Sequence, residues 1–136
     1  MRNNRSMPSS TIIPVLGYAD AAQAVTWLCR SFGFTERLRI GDHRAQLRAG
    51  DGDGAVVVTA VKAPSPIHSI MVRVADVDTH YARAQAAGAT ILSPPNTYPY
   101  GERQYSAADT GGHVWTFSQT VADVDPTEWG GELVAP

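Results

Sequence analysis

Lysine occurs once, at position 62, and cysteine once, at position 29, in a chain of 136 residues of which 18% are charged. Arginine supplies the rest of the positive charge, scattered from Arg2 to Arg103, and the formal net charge is −2. No basic stripe exists to follow a phosphate backbone, so nucleic acid is not an expected partner. A lone thiol cannot close an intramolecular disulfide, and His43, His68, His80 and His113 form no zinc-finger spacing with it. That usage suits a reducing cytoplasm. Cys29 reads as a small apolar helix residue rather than a nucleophile, because no motif sets a histidine or acid beside it. No apolar run approaches the roughly 20 residues a membrane span needs, which excludes a membrane role of that kind. Residues 1–10 carry Arg2 and Arg5 but no apolar core and no cleavage pattern, so they read as a flexible extension rather than a secretory signal.

What is present is the composition of one compact soluble domain, 43% hydrophobic with 12 glycines and 9 prolines. Thr11 to Leu16 is a short β-branched run. Asp20 then caps a helix whose apolar stripe is Ala21, Ala24, Val25, Leu28 and Phe32, with Gln23 completing a capping box and Gly33 ending it. Phe34 to Ile40, His43 to Ala49 and Ala55 to Val61 read as three strands separated by glycine turns. The two prolines in Lys62 to Pro66 mark a linker.

The second half repeats the first. His68 to Val74 reads as a strand, Asp76 as a helix cap and Val77, Tyr81, Ala84 and Gly88 as the matching stripe; Thr90 to Leu92, Arg103 to Ala108 and His113 to Ser118 follow as strands. Neither half has the mass to bury a sheet face alone, so a duplication packed into one domain is the expectation. The expected boundaries are an extension over 1–10, a domain over 11–119 with modules 11–61 and 67–119, and a tail over 120–136. Trp129 in that tail is expected against a partner or the domain edge.

The order strand, Asp-capped helix, three strands, given twice, resembles the glyoxalase/bleomycin-resistance/extradiol-dioxygenase superfamily, also called vicinal oxygen chelate proteins. The residues that carry the resemblance are His68-Ser-Ile-Met-Val-Arg-Val-Ala-Asp-Val-Asp78, Ala84-Gln-Ala-Ala-Gly-Ala89, Tyr100-Gly-Glu-Arg103 and Asp109-Thr-Gly-Gly-His-Val-Trp-Thr-Phe117. It implies an α+β fold in which two βαβββ modules form a cupped mixed sheet around a cavity, with helices outside, and it implies a homodimer.

The resemblance also places ligands of metal-using members on the first and last strands of each module. Here those positions fall on Ile13, Val58, Ser69 and Thr116, which are not a metal-binding set, so no metal or other cofactor is expected. His68 lies one residue from such a position and reads as a strand-end histidine. Alternation makes Ile13, Val15, Val56, Val58, Ser69, Met71, Arg73, Val114 and Thr116 the expected cavity wall. Arg73 could pair with an anionic or carbonyl group of a ligand or form a rim salt bridge. Tyr98 and Tyr100 are expected to stack on a flat ligand from a loop over the pocket, while Arg103 is expected to bridge to Glu102 or Asp109. Trp27, Tyr81, Trp115 and Phe117 read as packing residues. His43 and His80 read as turn and exposed-helix residues, and His113 as serving its glycine turn.

Three functions stand on this reading. The first is a metal-free small-molecule-binding protein of the antibiotic-resistance type. The second is a lyase, isomerase or dioxygenase, either metal-dependent or using Glu102 or Tyr105 as a general base. The third is a non-catalytic interaction module.

Overall fold

The computed structural model describes residues 4–6, 8–10, 12–63 and 69–130. The expected start of the first strand at Thr11, most of the proline linker and His68 lie outside the described residues. The elements run β1 Val15–Tyr18, α1 Ala21–Phe32, β2 Thr35–Ile40, β3 Arg44–Arg48 and β4 Ala55–Ala60. The order then repeats as β5 Ser69–Arg73, α2 Val77–Ala86, β6 Thr90–Thr97, β7 Glu102–Ala108 and β8 Val114–Thr120. Each set makes one four-stranded mixed sheet, ordered β1-β4-β3-β2 and β5-β8-β7-β6, with the first and last strands of each module parallel. This is an α+β fold of two βαβββ modules.

Local chemistry sets the ends of these elements. Asp20 accepts from the Gln23 amide at 3.0 Å, and Asp76 accepts from the Thr79 amide at 3.1 Å and its hydroxyl at 2.9 Å. These bonds satisfy amides that the first helical turn leaves free. Gly33 closes α1 with φ of 76°, a left-handed value that a side chain resists. β6 runs through Pro94 and Pro95 instead of stopping at Leu92, because it is an edge strand whose far side needs no amide donors.

Alternation splits each strand between two faces. In the first sheet Leu16, Tyr18, Ala45, Leu47, Val56 and Val58 face the core. In the second, Val72, Tyr105, Ala107, Trp115 and Phe117 do the same. Phe32 at the end of α1 joins the halves, lying 6.0 Å from Trp115 and 4.8 Å from Phe117 by ring centroids. Trp115 and Phe117 are therefore core, as their register indicates, with Trp27 and Tyr81 packed at its margin.

Polar contacts fasten the same seam. Tyr18 donates its hydroxyl to Asp109 Oδ2 at 2.5 Å, and Asp51 Oδ2 accepts the Ala75 amide at 2.7 Å. Arg83 of α2 donates to the carbonyls of Cys29 and Arg30, both at 3.2 Å, and so caps the end of α1. Gly50, with φ of 81°, lets the two modules close: a Cβ there would sit 2.8 Å from the Arg73 carbonyl oxygen.

Candidate functional site

The core takes one face of each sheet, and the other face of the second sheet is partly open. On the second sheet that open face carries Ser69, Met71 and Arg73 from β5, Val114, Thr116 and Ser118 from β8, and Glu102, Gln104 and Ser106 from β7, as the pairings Met71↔Thr116 and Ser106↔Thr116 require. Its polar groups form a rail of two hydrogen-bonded sets side by side, in which Gln104 and Ser118 are buried. Ser106 and Thr116 share a hydrogen bond at 2.8 Å, Gln104 Nε2 donates to Ser118 Oγ at 3.0 Å, and Ser118 Oγ donates to Glu102 Oε1 at 2.7 Å.

The rail continues to an aromatic corner. Tyr100 donates to Gln104 Oε1 at 3.2 Å, its ring stacks on Tyr98 at 5.5 Å and 5°, and it meets Trp129 at 5.6 Å. The tail is turned back to that corner by the Val121 amide bonding to the Gly101 carbonyl at 2.9 Å. At the opposite edge of the face, Met71 is 64% exposed, a large apolar side chain in solvent. Met71 and Arg73 also border a cavity of about 650 Å3 at the seam between modules, whose apolar wall includes Ile12, Pro14, Val56, Ile70 and Trp115.

Five of the residues singled out from sequence thus share one surface: Ser69, Met71, Arg73, Val114 and Thr116. Tyr98 and Tyr100 sit together at its far corner. Ile13 lies just before β1, half-buried. Val58 is the correction, since it is fully buried in the core together with Val56. The run Val56-Val57-Val58 is apolar throughout and carries no alternation signal; the register Val15↔Val57 and Gln46↔Val57 puts Val57, not Val58, on the open face.

Arg73 is exposed rather than enclosed, and among the described residues it forms no ion pair. Arg103 bridges to Asp78 at 3.0 Å rather than to Glu102 or Asp109. His80 departs furthest from expectation. It is half-buried between modules, with Nε2 donating to the Phe32 carbonyl at 2.8 Å and Nδ1 against the Tyr105 hydroxyl. The carbonyl can only accept, which fixes the proton on Nε2 and makes Nδ1 the acceptor for Tyr105. Burial lowers the His80 pKa from its ordinary value, helped by the Arg83 charge. His113 is buried and bonds through Nε2 to the Gly17 carbonyl at 2.6 Å, so it too serves the seam as well as its turn.

The acid–base candidates divide. Tyr105 is fully buried with its hydroxyl raised far above the ordinary range by desolvation, so it offers no base to a ligand. Glu102 lies on the open face but is already an acceptor for Ser118. Cys29 is half-buried with its thiol pushed up by burial and by the nearby Glu36 charge, the opposite of an activated thiolate.

The metal positions named by the resemblance also fail on donor chemistry. With the register corrected they are Val15 or Ile13, Val57, Ser69 and Thr116, and among the described residues no three His, Cys, Asp or Glu side chains converge.

Residues 13–117 match the profile of the Glyoxalase/Bleomycin resistance protein/Dioxygenase superfamily. The chain belongs to this superfamily. TioX from Micromonospora sp. ML1 is 37% identical in sequence, with a TM-score of 0.70 over 85% of this chain and 100% of that one. The bleomycin-binding protein from Streptomyces verticillus, solved with copper(II)-bleomycin, shares the fold at 20% identity and a TM-score of 0.62, over 78% of this chain and 92% of its own. An uncharacterised Mycobacterium bovis protein is 37% identical over 60 residues, which span 44% of this chain and 40% of that relative. Among the described residues, no helix is long and apolar enough to cross a membrane.

Proposed function

We propose that this protein binds a small, flat, partly apolar molecule without a protein-bound metal, on the open face of the second sheet and the adjoining seam cavity. The carrying observation is that exposed apolar surface at Met71 and the stacked Tyr98–Tyr100 pair flank hydrogen-bonded polar side chains on one sheet. Burying Met71 and the rings against a ligand removes apolar area from water at about 25 cal/mol per Å2, and the rail supplies orientation without stranding a buried donor. The bleomycin-binding relative supports a binding role for this fold. Arg73 favours ligands bearing a carboxylate or carbonyl, and the protein is proposed to act as a cytoplasmic homodimer.

The test is calorimetric titration of the purified protein with matched aromatic acids and neutral analogues, alongside elemental analysis. Saturable binding without turnover and without a stoichiometric metal supports the reading. About one equivalent of zinc, iron, manganese or nickel, lost on His68→Ala, would instead establish the metal-dependent enzyme.

A further inference from the structure

Part of the chain itself lies across the open face of the first sheet. Arg37 is the extra residue of a bulge between Glu36 and Leu38 in β2. It donates through Nη1 to Gln46 Oε1 at 2.6 Å and through Nη2 to the Arg5 carbonyl at 2.8 Å. Gln46 in turn donates through Nε2 to the Ser6 carbonyl at 2.9 Å. Ser10 donates its hydroxyl to the Asp53 carbonyl, and Pro8 is buried beside a cleft of about 260 Å3 that Arg37 and Arg48 also line. Residues 4–6 and 8–10, part of the expected free extension, are therefore seated.

The pattern of donors says what the face recognises. Two side chains of the sheet read two successive main-chain carbonyls, and neither contact depends on the side chain of residue 5 or 6. Arg37 faces no carboxylate among the described residues, whose ion pairs are Arg39 with Glu36 and Arg103 with Asp78. With residues 4–6 and 8–10 in place Gln46 is only 7% exposed, and its amide accepts from Arg37 and donates to the Ser6 carbonyl. Both donors are thus arranged for carbonyl acceptors of an extended chain.

We propose that the open face of the first sheet is a peptide-binding groove whose resident occupants are the protein's own residues 4–6 and 8–10, so that an extended peptide supplied from outside must compete with them. Tethering gives the resident segment a high effective concentration, and an external peptide binds the intact protein correspondingly weakly.

Pro8→Glu in the full chain places a charge at a buried position of the occupant while leaving Arg37 and Gln46 in place. The probe is a synthetic peptide of the wild-type residues 1–10. Trypsin should cut after Arg5 faster in Pro8→Glu than in wild type, and the variant should bind the peptide about tenfold or more tightly than wild type does. Adding Arg37→Leu should abolish that gain, because one charge-assisted bond accounts for roughly ten- to a hundredfold in affinity. Equal cleavage rates, equal peptide affinities, or a gain that survives Arg37→Leu would each overturn the proposal. Should Pro8→Glu fail to fold, Gln46→Ala decides by cleavage alone: a faster cut after Arg5 supports the groove, and an unchanged rate overturns it.

Discussion

His80 Nδ1 meets the Tyr105 hydroxyl at 2.5 Å, a hydrogen bond that only a neutral imidazole accepts while its other nitrogen is held by the Phe32 carbonyl. The groups around it are Arg83 on the same helix and Asp51 from the β3–β4 turn, with opposite effects and the Arg83 effect the larger. Because the folded pKa is depressed, the unfolded chain binds the proton more readily. The stability contributed by neutral His80 is therefore fully present above the ordinary value of 6.5 and is lost as pH falls through the folded pKa. Thermal melting from about pH 7.5 to about pH 5 should show Tm falling in wild type and a flatter profile in His80→Gln. Parallel profiles would place the titration elsewhere.

The Tyr18–Asp109 bond should hold the modules together. Asp109 is 7% exposed and accepts from Tyr18, from Trp115 Nε1 at 2.9 Å, and from the Gly111 and His113 amides, both at 2.9 Å. Tyr18→Phe should cost about 1–3 kcal/mol, and Asp109→Asn more, since its amide turns a donor toward donors. Denaturant melts of both variants measure this; a smaller loss for Asp109→Asn would show that the carboxylate is not the hub.

Gly50→Ala is expected to cost about 2–4 kcal/mol, from the left-handed backbone together with the contact on the Arg73 carbonyl. Gly88 has φ of 90° but open space where a Cβ would stand, with no neighbouring atom within 4 Å, so Gly88→Ala should lose only the backbone part. The difference between the two melts isolates the seam contact, and equal losses would deny it.

Ligand binding and stability should separate at Met71. Its exposure means Met71→Ala leaves Tm nearly unchanged while weakening flat ligands. An exposed Arg73 is hydrated when free, so Arg73→Ala should weaken acidic ligands by only about three- to tenfold and leave neutral analogues unaffected. Equal effects on both ligand classes would remove Arg73 from recognition.

The proposed homodimer is read by light scattering at micromolar concentration. A mass of 14.6 kDa across the range would show a monomer.

The helices and the duplication are legible in the sequence because their signals are local. Asp20, Asp76 and Gly33 cap through bonds spanning a few residues, and the Ala21-to-Phe32 stripe has one period. The second sheet's faces are legible too, since β8 alternates Val114, Thr116 and Ser118 with Trp115 and Phe117. β4 is not, because three consecutive valines satisfy either register and only pairing with Gln46 and Leu47 on β3 decides. His80 escapes a local reading for a related reason: what buries it is the end of α1, a contact 48 residues away. Residues 4–6 and 8–10 give no periodic signal, and their place is set by side chains on β2 and β3.

Where strands such as β5 and β8 give alternate residues to the core and to the other face, the two sets of positions are physically separate along one chain. Trp115 can hold Phe34 while its neighbour Thr116 turns to the other face and bonds to Ser106. Substitutions at Ser69, Met71, Arg73 or Thr116 therefore alter what the surface recognises at little thermodynamic risk, leaving the protein free to drift in ligand preference while its fold stays put.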